Sequence, residues 1–141
     1  MQVNTTLRQE MLNLLKTSIT VGYGLVVPTK TIKFYSNTPG DPLCTVTFND
    51  LEIYSDGDRV GYKFKSSDGT FVLRGSVANT GTVAYFNIDG VLDDETPVVD
   101  MLHGTVGGLS TTADIRFNSL SWTEGINISL SNLAIIMLQG A

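Results

Sequence analysis

The chain has 141 residues, 42% of them hydrophobic and 16% charged, and its nine basic and fourteen acidic residues give a formal net charge of −5. That is enough for one domain, 1–141, with a real hydrophobic core, and the composition is neither disordered nor coiled-coil. The basic residues approach a cluster only at Lys30–Lys33 and Lys63–Lys65. Binding nucleic acid by counterion release needs a concentrated basic surface, so that class is not expected.

The N-terminus lacks a basic segment followed by an unbroken apolar run, and no run nears the ~20 residues of a membrane span. A complete chain made in the cytosol, with no membrane partner, is the expectation. Cys44 is the only cysteine, so no disulfide closes within the chain. It shares a strand face with Val46 and Phe48, which predicts a small core residue and not a catalytic thiol.

In chain order, Met1, Gln2, Val3, Asn4 and Thr5 are read as a frayed start or a contact arm. Thr6-Leu7-Arg8-Gln9 has the form of a capping box and predicts a helix over about 6–21. Leu7, Met11, Leu14, Leu15 and Ile19 make its apolar stripe, expected to pack in the core or on a neighbouring subunit. Gly22 and Gly24 supply the stop.

Strands are predicted at Ile32–Tyr35, Cys44–Phe48, Leu51–Tyr54 and Val60–Phe64. The loop Ser36–Pro42, with Asn37 and Pro39, separates the first two. Asp68-Gly69 predicts a tight hairpin that pairs Phe71–Arg74 with the strand before it. Four strands follow, at Val83–Ile88, Val98–Val106, Ala113–Phe117 and Ile126–Leu130. In the last two, apolar residues alternate strictly with polar ones. Asp89–Pro97 is the longest polar interruption and is expected to be an exposed loop; Gly107-Gly108 and Glu124-Gly125 are the last turns. The apolar run Leu133–Leu138, including Ile135 and Met137, is strand-sized. One helix with eight or nine short strands describes a mainly β domain, an antiparallel β-sandwich or jelly roll with an N-terminal α-helix.

Groups that could carry chemistry are sparse. Asp56-Gly57-Asp58 and Asp93-Asp94-Glu95 are the dense carboxylate runs, but neither has the ligand ladder of a calcium loop, and solvated loops are expected. Asp100 and His103 are three apart, which on a regular strand puts them on opposite faces. Neither Ser110 nor Ser121 lies in a Gly-x-Ser-x-Gly elbow, so a catalytic triad is not expected. No phosphate loop, dinucleotide fingerprint or zinc-ligand set occurs, so neither an enzyme nor a cofactor is expected. Trp122 raises sugar binding as an alternative, but it shares a face with Leu120 and is expected in the core.

Read in order, several segments carry a resemblance. They are Leu7-Arg8-Gln9-Glu10-Met11-Leu12, Ile32–Pro39, Leu43–Phe48, Ala84-Tyr85-Phe86-Asn87, Gly104–Gly107, Ala113–Asn118 and Gly125–Leu130. The series resembles a group of small virion structural proteins of tailed bacteriophages and spans nearly the whole chain. Ala84-Tyr85-Phe86 stands where that group has Trp-Phe, and His103 stands where it has an aspartate. The resemblance implies assembly: a capsid decoration or cement protein, or else a neck or tail component or a sugar-binding module of a tail fibre. It implies a virion location, contacts with the major capsid protein and with copies of itself, and a homotrimer. The implied contact residues are Met1–Thr5, Asn37, Pro39, Asp93, Asp94, Ile135 and Met137.

Overall fold

In a computed structural model, residues 5–38, 40–56, 59–131 and 133–139 are described. Helix α1 (Thr5–Thr20) opens the chain, followed by β1 (Thr31–Tyr35), β2 (Cys44–Thr47), β3 (Asp50–Asp56) and β4 (Arg59–Lys65). Next come β5 (Val72–Ser76), β6 (Gly81–Thr82), β7 (Tyr85–Val91) and β8 (Pro97–Gly108). The chain ends with β9 (Ile115–Phe117), β10 (Ser121–Trp122), β11 (Asn127–Ser131) and β12 (Ala134–Gln139). The predicted mainly β, sandwich-like fold with a single helix is what these elements build.

The main sheet has the order β2-β1-β7-β8-β9. Alternation decides what each strand buries. Ile32 faces Val46 on one side and Ile88 on the other, and Phe34 faces Cys44 and Phe86, all within the core. A second set, β12-β4-β3 and the pair β11-β5, supplies the covering residues: Tyr62 and Phe64 from β4, Leu73 from β5, Leu130 from β11 and Ile135 from β12. All of these join one continuous buried cluster. Edge-on ring contacts knit it, with Phe48 at 5.1 Å from Phe64 and Phe34 at 5.4 Å from Trp122. Trp122 and Cys44 are therefore core residues, as their strand faces predict.

Four local expectations are corrected. The Ser66–Thr70 turn forms, with Asp68 accepting from Ser66 and from the Thr70 amide at 2.9 Å and Gly69 at φ 83°. Yet β5 does not pair with β4. Both edges of β4 are already taken, by β3 and β12, so the turn hands the chain to β11 instead. The exposed loop after β7 is shorter than Asp89–Pro97, because pairing runs on to Gly90–Val98 and Val91–Pro97 and leaves Leu92–Thr96 as the turn. Gly107 and Gly108 are not a turn but the end of β8, and there they pair in parallel with β9. That parallel pair departs from the otherwise antiparallel ladders. Asp114, in the connection, accepts the Thr105 amide at 2.9 Å. It fits because residue 104 is glycine: a Cβ there would lie 2.4 Å from the Asp114 carboxylate and 2.9 Å from the Phe86 ring.

The fourth correction concerns α1. Leu12 (1% exposed) and Ile19 (0%) enter the core, and Leu15 packs against it. Leu7, Met11 and Leu14, predicted on the same stripe, are exposed. Two stripes share this helix, and the sheet selects the one containing Leu12. The helix closes at Gly22 (φ 80°), whose amide donates to the Thr17 carbonyl at 2.9 Å.

Candidate functional site

Three places could carry function, and each follows from how the strands present their outer faces. The first is the solvent side of the main sheet. Lys33, Asn87 and His103 lie in one row across β1, β7 and β8. Asp89, where the β7–β8 register shifts, accepts the Asp100 amide at 3.0 Å and lies 3.6 Å from the Lys33 ammonium. Asp100 adopts φ 65°, and this with the register shift breaks strand alternation. Asp100 and His103 therefore meet, with Asp100 Oδ1 3.5 Å from His103 Nδ1. Their odd spacing had placed them on opposite faces, and the irregular backbone is the reason it does not.

The arrangement is nonetheless poor in chemistry. His103 stands on an open surface, its side chain 68% exposed, and neither Ser110 nor Ser121 makes a hydrogen bond to it among the described residues. A nucleophile needs a base within hydrogen-bond reach and a third group to orient that base. Only the orienting contact exists here. An exposed contact of this kind contributes little to stability either.

The second place is an open cleft of about 610 Å3 between β9, β11 and the start of β12, lined by Asp114, Arg116, Phe117, Trp122 and Leu130 among others. Asp114 is engaged by Thr105, and Arg116 Nε lies 3.4 Å from the Ala113 carbonyl. Trp122 forms part of the floor with 6% exposure, held by the rings of Phe34 and Phe117. A sugar platform presents an open aromatic face; this indole is turned inward. A shallower polar hollow is lined by Asn37, Asp41, Asn79 and Thr80.

No group of three or more His, Cys, Asp or Glu side chains converges on a possible metal position among the described residues. In the acidic turn, Asp94 accepts the Thr96 amide at 3.1 Å, and the Thr96 hydrogen bonds hold its carboxyl below the usual range. No described helix is long and apolar enough to cross a membrane.

The third place is the outer face of α1. Leu7 (50% exposed), Met11 (46%) and Leu14 (69%) form a row, and Val21 (66%) extends it through a helical bond from its amide to the Thr17 carbonyl, 3.1 Å. Monomers scatter exposed apolar residues; a contiguous row is the informative case.

The contact residues expected from the sequence lie on separate elements. Met1–Asn4 and Pro39 lie outside the described residues. Thr5 opens α1, Asn37 is exposed on the loop after β1, and Asp93 and Asp94 are exposed on the β7–β8 turn. Met137 is within β12, and Ile135, on the same strand, is 2% exposed and belongs to the core. Leu7, Met11 and Leu14 belong to the stripe expected in the core or on a neighbouring subunit, and it is the exposed alternative that the structure leaves open for them; Val21 was not expected there. The signal that marks them is a second helical stripe, Leu12-Leu15-Ile19, which is the one that packs on the core. No protein-family model matches the chain, and neither a curated protein nor a solved structure matches it.

Proposed function

We propose that this chain is a non-enzymatic structural protein of a tailed-phage virion, a decoration or cement protein that stabilises the shell through subunit contacts. The observation that carries the assembly part of this reading is the apolar row Leu7-Met11-Leu14-Val21, held outward on a helix whose other face is already buried. Apolar surface of this kind gains roughly 25 cal/mol per Å2 when covered. The virion part rests on the resemblance of the segments from Leu7 to Leu130 to small phage structural proteins. Its partners on this reading are the major capsid protein and copies of itself, as a homotrimer at capsomer junctions. A place in the neck or tail is the next reading on the same resemblance.

The test is a phage preparation depleted of the protein. Its shells are expected to lose resistance to heat and osmotic shock while still carrying tails. Shells of unchanged resistance combined with failed tail attachment would overturn the decoration role in favour of the neck.

A further inference from the structure

The spacing of the exposed row on α1 says what covers it. Leu7, Met11, Leu14, Ser18 and Val21 follow one another at intervals of four, three, four and three residues. That alternation is the seam by which one helix packs along another, with residues of one inserting between residues of its neighbour. It is not the face that binds the sheet, which is Leu12, Leu15 and Ile19. We propose that α1 packs along this seam against α1 of a second copy of the chain, as neighbouring helices do around the threefold axis of a trimer, an inference that rests on the assembly reading above and specifies its contact.

Three observations favour a second copy. The first is size. The four apolar seam residues expose on the order of 400 Å2 in one row. A monomer's largest patch, often a functional one, is roughly 300–600 Å2, so the row is of the size that forms the apolar centre of an interface giving about 800 Å2 per partner. The second is charge. Each copy carries −5, yet the positions flanking the seam are Arg8, Glu10, Leu15 and Thr17, one charge of each sign. Two copies can therefore meet here without opposing a block of like charge. Lys16, the remaining charge on the helix, lies 3.7 Å from Asp50 within its own subunit.

The third is the polar residue within the seam. The Ser18 hydroxyl donates to the Leu14 carbonyl one turn back at 3.5 Å, and Thr17 does the same to Asn13 at 3.2 Å. Neither hydroxyl brings an unmet donor into a dry contact. The seam can close as it stands.

The test uses the full chain and an engineered thiol. Cys44 is fully buried and is the only native cysteine, so it gives no background in the folded protein. Leu14→Cys with a short bis-maleimide is expected to give a covalent dimer on a denaturing gel, whereas Leu109→Cys, exposed on a different element, is not. Leu14→Glu is expected to reduce the mass in solution to one chain with an unchanged circular dichroism spectrum. Ser18→Leu, which fills the polar gap, is expected to tighten association at least tenfold. An oligomer that survives Leu14→Glu and gives no crosslink at residue 14 overturns helix pairing and leaves the structural role intact. A monomer that binds empty capsids and loses that binding in Leu14→Glu also overturns it, since the row then faces the shell. A monomer that binds no capsid at any concentration sinks both.

Discussion

The Tyr62 phenol, midway along β4, donates a hydrogen bond to the Leu12 carbonyl of α1, and both residues are buried. This joins the helix to the second set of strands from inside the core, beside the apolar contact of Leu12 and Ile19. It also fixes the rotation of the helix, and with it the direction in which Leu7, Met11 and Leu14 point.

Tyr62→Phe keeps the ring and removes the bond. The expected loss is about 0.5–1.5 kcal/mol, read as a lower denaturation midpoint with an unchanged slope. Burial pushes the phenol well above its ordinary value. A raised acid favours folding fully below its unfolded pKa of about 10, and that contribution is lost as pH rises toward the folded value. Wild type is therefore expected to lose stability above pH 10 more steeply than Tyr62→Phe.

The two faces of α1 should respond oppositely to truncation. Leu12→Ala opens a cavity in the core and is expected to cost about 2–5 kcal/mol. Leu14→Ala, measured dilute enough to separate copies, is expected to stay within about 0.5 kcal/mol of wild type. Urea midpoints of the two variants give the comparison directly.

Leu12 and Leu14 also mark a boundary of what the sequence encodes. The helix itself was legible, because apolar residues recur at helical spacing from Leu7 to Ile19 and Gly22 follows. Which stripe faces inward was not, since Leu7-Met11-Leu14 and Leu12-Leu15-Ile19 are equally regular and only the sheet chooses. Strand positions were legible for the same reason: Ile32 and Phe34, or Phe86 and Ile88, alternate with polar neighbours. Pairing was less so. Asp68-Gly69 does make a turn, but no local signal says that β3 and β12 have already claimed both edges of β4. The meeting of Asp100 and His103 was hidden by a backbone irregularity at Asp89 and Asp100 that alternation does not encode.

Cys44 offers a second pH handle. Burial pushes its thiol up to about 11 from 9.0, and the thiol lies 3.3 Å from the Ser76 carbonyl, on which it donates. The neutral form is the one that favours folding, so the contribution is complete below about pH 9 and lost as pH rises through 11. Between about pH 9 and 10 the thiol acts ahead of Tyr62. Cys44→Ala is expected to flatten the stability curve in that interval, measured by thermal melts at closely spaced pH.

Gly104→Ala tests the parallel β8–β9 join. A methyl group there would collide with Asp114 and Phe86. Displacement of Asp114 from the Thr105 amide is expected to cost about 1–3 kcal/mol, with amide exchange rising at Thr105.

Co-sedimentation of the purified protein with empty capsids is the direct test of the proposed place in a larger shell. Binding is expected to saturate at a fixed number of copies per capsomer and to be unchanged by His103→Ala. Protein that stays in the supernatant at every concentration would contradict it.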